Sequence, residues 1–346
     1  MKIALIGNEY VQQFPLEGYG GIEASVEAIA WELWRRDTPF FVVVPKKKGG
    51  VEKNYPFKII ETMARPSSIE KSGTSPFING VRNILEENTD FDVIWSQSHW
   101  SVDPLISLGR PIISTFHDSI PRQSGWMLEY PLVRYRFVSQ SQRSIWAHEQ
   151  WELNNSFVAH LGVNPEEYFA PVSFSLRNDW IWVGGLNWGP TAKGLDLFIR
   201  LAQLHPQEKF TVYGTGNQAI EDELIRLSNL IPNLRYLGSL QRGPNHSDAF
   251  RFAKGLIFPT RIPEAFGRVV VEAISKGTPV IGANHSSLLE LIDPTLGELL
   301  SIDLFNPNLS RKYDYQEIFI YSYKFHIRNE VDILIQKSQE FLQNIK

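Results

Sequence analysis

The sequence predicts an α/β protein built from two Rossmann-like domains, each a parallel sheet covered by helices on both faces. Three observations carry that prediction. Short, almost continuously apolar runs alternate with stretches of helical spacing, as in strands buried on both sides. The alternation occurs twice, once in each half of the chain. The 346 residues exceed what one hydrophobic core usually organises, and a polar, proline-containing segment, Asn164 to Asn178, lies between the halves as a linker. The domains expected on this basis are residues 1–165 and 166–325.

In the first half the strand-like runs are Ile3 to Ile6, Phe40 to Val44, Lys58 to Ile60, Asp92 to Ser96, Pro111 to Phe116, Phe137 to Ser139 and Ser156 to Ala159. Helical spacing covers Ile22 to Arg36, Phe77 to Glu87 and Arg143 to Trp151. In the second half the order is strand Trp180 to Val183, helix Leu195 to Leu204, strand Phe210 to Tyr213, helix Ala219 to Leu230, strand Leu234 to Leu237 and helix Asp248 to Lys254. Residues Glu330 to Ile345 close the chain with a further helical pattern. No short tandem repeat is visible. Ligands of doubly wound sheets bind beyond the carboxyl ends of the strands, so two such domains facing each other would enclose a cleft there.

Composition narrows the function. A net charge of −4 and a pI near 6.1 lack the basic footprint of a nucleic-acid binder. The absence of cysteine removes disulfides, thiolate catalysis and Cys-ligated zinc. No apolar run approaches the roughly 18 residues of a membrane span. The chain goes directly into a strand at Lys2 to Ile6 without a signal-peptide hydrophobic region, so a cytoplasmic protein is expected. Lys46, Lys47 and Lys48 read as a solvated turn. With Trp31, Trp34, Arg35 and Arg36 they also allow an edge that touches anionic lipid, which leaves peripheral contact with the inner face of the membrane open.

The most informative stretch runs from Phe258 to Gly282. A buried strand, Leu256 to Phe258, is broken by Pro259 and Pro263; helical spacing follows from Gly267 to Lys276; Gly277 stops it and Pro279-Val280-Ile281 begins the next strand. Glu264 and Glu272 stand eight positions apart. Eight helical residues rise roughly 12 Å, too far for the paired carboxyls of a hydrolase, which need about 5 to 10 Å. The spacing suits two carboxylates holding opposite ends of one long ligand, with helix-start N–H groups facing a phosphate between them. The plainer alternative is a solvated Glu272 and a Glu264 placed by the helix dipole.

The string P-E-A-F-G-R-V-V-V-E-A-I-S-K-G-T-P-V-I, Pro263 to Ile281, resembles the E-x7-E segment of the family 4 retaining glycosyltransferases, whose fold is the two-domain GT-B type. The resemblance implies that Glu264 lies near the transferred sugar. It implies that the backbone N–H groups of Ala265, Phe266 and Gly267 hold the sugar hydroxyls, and that Glu272 binds the ribose diol. It also implies that the tail helix, about residues 326–346, crosses back to the first domain.

Four further places off strand ends fit the resemblance. Gly20 and Gly21, in Gly18-Tyr19-Gly20-Gly21-Ile22-Glu23, open the first long helix; glycines admit a close ligand and a helix start favours anions. By resemblance this loop approaches the donor diphosphate and, through Tyr19, the acceptor. His117 closes the strand Pro111 to Phe116 and matches a histidine set against the donor sugar; a structural histidine is the alternative. His99 and Trp100, off the strand Asp92 to Ser96, are the next candidates for the acceptor. Asp90-Phe91-Asp92 has the D-x-D form of a metal motif, but it precedes a strand and reads as a charged strand start; no metal or other cofactor is expected.

Val183-Gly184-Gly185-Leu186 followed by Lys193-Gly194-Leu195-Asp196 matches the family pattern G-R-L, then K-G-x-D, with Lys193 as the phosphate-binding lysine. Gly185 stands where the arginine belongs, and the loop to Lys193 is about three residues longer than in the pattern. Loss of a fixed cation beside a leaving diphosphate weakens catalysis; Arg261 and Arg268 are the candidate replacements. Gly214 and Gly216, in Tyr213-Gly214-Thr215-Gly216, form a G-x-G turn that read alone is a dinucleotide fingerprint. It follows the second strand of its half, and no acidic residue lies about 20 positions on, both against an NAD site. By resemblance the turn lies near the nucleotide, and the loop Gly238 to Arg242, with Ser239, flanks the base.

The expected function is therefore a metal-independent retaining glycosyltransferase. It would move a sugar from a UDP- or GDP-sugar to a glycan, lipid-linked or small-molecule acceptor, with Glu264, His117 and Lys193 at the chemistry. An NAD-dependent oxidoreductase, a sugar-nucleotide binder without turnover and a GT-B epimerase are the alternatives.

Overall fold

The computed structural model describes residues 1–8, 14, 20–46, 55–63, 76–97, 102–119, 130–148 and 154–345. Two units emerge, one formed by Met1–Gly162 with Ile327–Lys346 and the other by Val163–His326. In the first, the chain runs β1 (Ile3–Ile6), α1 (Gly21–Arg35), β2 (Phe40–Val44), β3 (Lys58–Glu61), α2 (Pro76–Glu87), β4 (Val93–Ser96), α3 (Val102–Ile106), β5 (Ile112–Phe116), β6 (Val133–Phe137), α4 (Gln140–His148) and β7 (Ser156–Val158). The second contains β8 (Asp179–Val183), α5 (Gly189–Ala192), α6 (Leu195–Leu204), β9 (Lys209–Tyr213), α7 (Gln218–Leu230), β10 (Leu234–Tyr236), α8 (Pro244–Arg251), β11 (Ala253–Phe258), α9 (Arg268–Ile274), β12 (Val280–Ala283), α10 (Leu288–Leu291), β13 (Glu298–Leu300) and α11 (Tyr315–Tyr321). The last helix, α12 (Ile327–Ile345), returns to the first unit.

Both sheets are parallel throughout. Their strand orders are β3-β2-β1-β4-β5-β6-β7 and β10-β9-β8-β11-β12-β13. Each therefore reverses direction once, between β1 and β4 and between β8 and β11, and such switch points are where doubly wound sheets open a crevice. Strand side chains alternate between faces, so Ile3 and Leu5 pack with Val26, Ile29 and Leu33 of α1 and with Val331 and Leu334 of α12. Ala4 and Ile6 point the other way, toward Phe77 and Val81 of α2 and Trp146 of α4. The second unit buries Trp180 and Trp182 of β8 against Phe198 of α6, Phe210 of β9 and Leu224 of α7.

The tail helix is pinned by polar contacts as well as apolar ones. Trp95 Nε1 donates to Ser338 Oγ at 2.9 Å. Arg136, fully buried, donates to Glu330 at 2.7 Å and to the carbonyls of Ala159 and His160 at 3.0 and 3.3 Å. Glu330 also accepts the N–H of Gly162.

Four segments differ from the sequence expectation. The sixth strand spans Val133–Phe137 instead of Phe137 to Ser139, because Arg134 and Arg136 disguise an alternating strand whose inward arginine has a buried partner. Helix α4 begins at Gln140 instead of Arg143, since Ser139 Oγ accepts the N–H of Gln142 and so caps an earlier start. Helix α8 begins at Pro244, a residue suited to a first turn, and ends before Lys254, which lies in β11. The segment Asn164 to Asn178 belongs to the second unit and is tied into it: Lys276 Nζ donates to the carbonyls of Pro165, Glu167 and Phe169 at 3.0, 2.7 and 3.3 Å, and Arg177 donates to the Lys276 and Ala253 carbonyls.

Candidate active site

In the second unit the loops leaving β8 and β11 flank the switch point, and each delivers one charged side chain to it. After β8, residues Leu186–Trp188 form a 3-10 turn and α5 follows, filling the long loop that precedes Lys193. Gly194 then turns at φ +71°, a left-handed conformation that costs glycine nothing, and its α-carbon abuts the Pro259 carbonyl so closely that a β-carbon has no room. Trp182 Nε1 holds the Lys193 carbonyl at 3.1 Å. After β11, Arg261 N–H donates to the Ala192 carbonyl at 2.8 Å, stitching the two loops together.

The result is a direct ion pair between Lys193 Nζ and Glu264 Oε1, with both side chains more than four-fifths buried. Glu264 sits in the loop before α9, not on the helix; the helix starts only at Arg268, after Gly267 has turned at φ +90°. The 12 Å separation estimated from eight helical residues therefore does not apply, since only the last five positions, Arg268 to Glu272, are helical. The Glu264 N–H donates to Ser286 Oγ at 3.1 Å, and Ser287 Oγ donates to the Phe266 carbonyl at 2.7 Å. Ala265 and Gly267 are half-buried beside them.

Glu272 is buried in the first turns of α9 and faces three basic groups. Arg268 Nε donates to it at 3.0 Å, while an Arg242 nitrogen and His246 Nε2 each lie 3.5 Å away. Burial alone would raise its pKa, but His246, Arg268 and Arg242 together hold it down to about 2. The carboxylate lines a narrow cavity with Asn164, Glu167, Arg242, His246 and Lys276. The plainer alternative, a solvated Glu272, thus gives way to a buried, charge-compensated carboxylate.

Gly185 is exposed, has an ordinary extended backbone at φ −72°, and a β-carbon on it would meet nothing within 4 Å. The two arginines considered as its replacements are both engaged. Arg261 is held by both oxygens of Asp196, at 2.7 and 2.9 Å, and by the Thr191 carbonyl. Arg268 is paired with Glu272. The G-x-G turn is held by the segments around it: Gly214 N–H donates to the Gly238 carbonyl at 2.8 Å, Gly216 N–H to Glu221 at 2.8 Å, and Tyr236 OH to the Gly214 carbonyl at 2.8 Å. Ser239 lines a crevice of about 660 Å³ with Lys209, Tyr213 and Arg235.

In the first unit, Gly20 precedes α1 and Gly21 begins it, with the buried Glu23 side chain folded against Gly20 where a β-carbon would sit. His117 follows β5, and its Nε2 lies 3.1 Å from the buried Gln97 amide oxygen at the end of β4. An amide oxygen only accepts, which places the ring proton on Nε2. Both residues stand at the carboxyl ends of strands beside the β1–β4 switch point. Tyr19, His99 and Trp100 lie outside the described residues. Among the described residues no cluster of three or more His, Asp or Glu side chains is arranged to hold a metal ion. Sequence reasoning missed His246, Thr260, His285 and Ser286. The rule of looking beyond strand ends, applied to β12, would have found the last two.

Comparisons with known proteins agree for both halves of the chain. The family model described as Glycosyltransferase Family 4 matches residues 19–164, and that described as Glycosyl transferases group 1 matches residues 177–304. No curated protein matches. Among solved structures, AviGT4, a glycosyltransferase involved in avilamycin A biosynthesis, is 16% identical with a TM-score of 0.73, covering 99% of this chain and 98% of that one. Anabaena HepE in complex with UDP and glucose is 18% identical with a TM-score of 0.72, covering 98% and 100%. A sucrose-phosphate synthase from Thermosynechococcus elongatus is 16% identical with a TM-score of 0.71, covering 99% and 94%. At these identities the structural likeness establishes the fold, a two-domain GT-B arrangement of parallel sheets. The oxidoreductase alternative is not favoured, since both family models describe glycosyltransferases.

Proposed function

Because the chain belongs to the family 4-like glycosyltransferases of the GT-B type, we propose that it transfers a sugar with retention, and without a metal, from a UDP- or GDP-sugar to a glycan, lipid-linked or small-molecule acceptor. The observation that carries this reading is the Lys193–Glu264 pair at the β8–β11 switch point. One cation and one carboxylate, poised within a bond of each other, suit the two ends of the bond that breaks. Lys193 faces the departing diphosphate and Glu264 faces the sugar whose anomeric carbon becomes electron-poor. The anomeric carbon–phosphate oxygen bond breaks, the acceptor oxygen bonds to that carbon from the same side, and the acceptor proton passes to the leaving phosphate oxygen. In this reading His117 orients the sugar, Glu272 receives the ribose diol, and the backbone N–H groups at residues 265–267 hold sugar hydroxyls.

Support for a UDP-sugar comes from HepE, a fold neighbour whose structure holds UDP and glucose. We further propose cytoplasmic action with peripheral membrane contact through the aromatic edge of α1. There Trp31 packs edge-on against Trp34 and Phe57, and Trp34 remains 43% exposed. Lys47 and Lys48 lie outside the described residues.

A panel of UDP, GDP and ADP and their sugars, tested for thermal stabilisation and for donor turnover, examines the proposal. Stabilisation by one nucleotide diphosphate and release of it from its sugar, with the anomeric configuration kept in the product, is the expected result. Stabilisation by NAD alone would overturn it. Tight binding with neither transfer nor slow donor hydrolysis would favour the non-catalytic binder, a reading that Gly185 supports by leaving the usual arginine position without charge.

A further inference from the structure

We propose that His285 and Ser286 are positioning residues for Glu264, and that Ser286 accepts a strained backbone in order to serve that role. The inference rests on the reading of Glu264 given above and adds residues that no motif assigns.

Three consecutive residues beyond β12 hold the Glu264 loop at three points. His285 Nε2 lies 2.8 Å from the Thr260 carbonyl at the start of the loop. Ser286 Oγ takes the Glu264 N–H at 3.1 Å. Ser287 Oγ donates to the Phe266 carbonyl at 2.7 Å. The first two contacts form one chain of hydrogen bonds. A carbonyl only accepts, so His285 carries its proton on Nε2; in the neutral ring Nδ1 is then an acceptor, and it lies 3.2 Å from Ser286 Oγ. Ser286 therefore donates to His285 and accepts from Glu264. Thr260 completes the loop from the inside, its fully buried hydroxyl donating to the Ile262 carbonyl at 3.1 Å and reaching Glu264 Oε1 at 3.4 Å.

Ser286 makes its contact from φ +54°, a left-handed conformation in which a β-carbon is unfavourable. Glycine would fit that backbone better but carries no hydroxyl. A residue held in such a conformation beside a reacting group points to a role that outweighs the strain. Here the role is visible: without the hydroxyl, the Glu264 N–H loses its acceptor and the carboxylate is free to shift away from the point where it meets Lys193.

Ser286→Gly separates positioning from architecture. A purely structural serine predicts that glycine, by relieving the strain, leaves both thermal stability and transfer at least at wild-type level. The proposal predicts an unchanged or higher Tm, faster hydrogen exchange in the peptide containing Glu264, and a kcat lower by about 10- to 100-fold. Donor KM should stay within about twofold. Ser286→Ala, which keeps the strain and loses the hydroxyl, should lose both Tm and kcat, and His285→Ala should reproduce the kcat loss. A wild-type kcat in Ser286→Gly, measured on a donor and acceptor that the wild type uses, overturns the positioning role. Absence of transfer by the wild type on every donor of the panel overturns the functional reading itself, and this inference with it.

Discussion

Lys193 and Glu264, 71 positions apart, neutralise one another where the loops beyond β8 and β11 converge. With side chains 17% and 13% exposed, they are shielded enough for the pair to matter and open enough for a ligand to reach. In the proposed reaction, a donor bringing a diphosphate to the lysine and a sugar that becomes electron-poor to the carboxylate would satisfy each charge separately, so that neither is left unpaired.

Glu264→Ala should abolish transfer while the protein remains folded, as read by product formation and circular dichroism. Lys193→Met should lower kcat/KM by about 10²- to 10³-fold, the usual effect of removing one fixed electrostatic donor. Near-wild-type turnover in the first variant on the true acceptor would remove Glu264 from the mechanism.

Gly185→Arg should be tolerated and should strengthen the site. The position is exposed, its backbone is extended and a β-carbon there meets no neighbour. A new charge-assisted contact to the diphosphate contributes about 1.5–3 kcal/mol, so calorimetry should find the nucleotide diphosphate bound roughly tenfold or more tighter. Unchanged affinity would mean that the loop does not face the phosphates.

Glu272 makes acid stability a test of its cluster. Its value of about 2 in the folded chain lies below the ordinary 4.5, so its contribution is fully present above about pH 4.5 and is lost as the pH falls toward 2. The size is on the order of 3 kcal/mol. Melting curves of wild type and Glu272→Gln should differ by a constant amount above about pH 4.5 and converge as the pH falls toward 2. A difference that stays constant across that window would show that the carboxylate is not held ionised by His246, Arg268 and Arg242.

Glu330→Ala should loosen the tail helix. It leaves the buried Arg136 without its carboxylate partner and removes the acceptor of the Gly162 N–H, a loss of about 3–5 kcal/mol for a broken buried pair. Hydrogen exchange should rise along α12 first; a variant with wild-type protection there would show that apolar packing alone holds the helix.

Much of this was legible because it is local. The strands Ile3–Ile6 and Phe40–Val44 announce themselves as apolar runs, and the helix Leu195–Leu204 by its spacing, because side-chain periodicity is set by backbone geometry within a few residues. The stretch from Phe258 to Gly282 was readable for the same reason, with glycine at 267 and 277 marking where helix α9 begins and ends. The sixth strand is hidden in the sequence because Arg136 is polar and neutralised only by a residue 194 positions away.

By itself the sequence determined the alternation of strands and helices, the duplication of the sheet and the presence of Glu264, Lys193 and Glu272 off strand ends. Only the tertiary structure decided that Lys193 meets Glu264, that Arg242 and His246 surround Glu272, and that a strained Ser286 holds the Glu264 backbone. The reason is physical. Periodicity and turn chemistry are properties of neighbouring residues, whereas pairing of charges depends on which loops the strand order brings to a switch point, and that order is fixed by packing across the whole sheet.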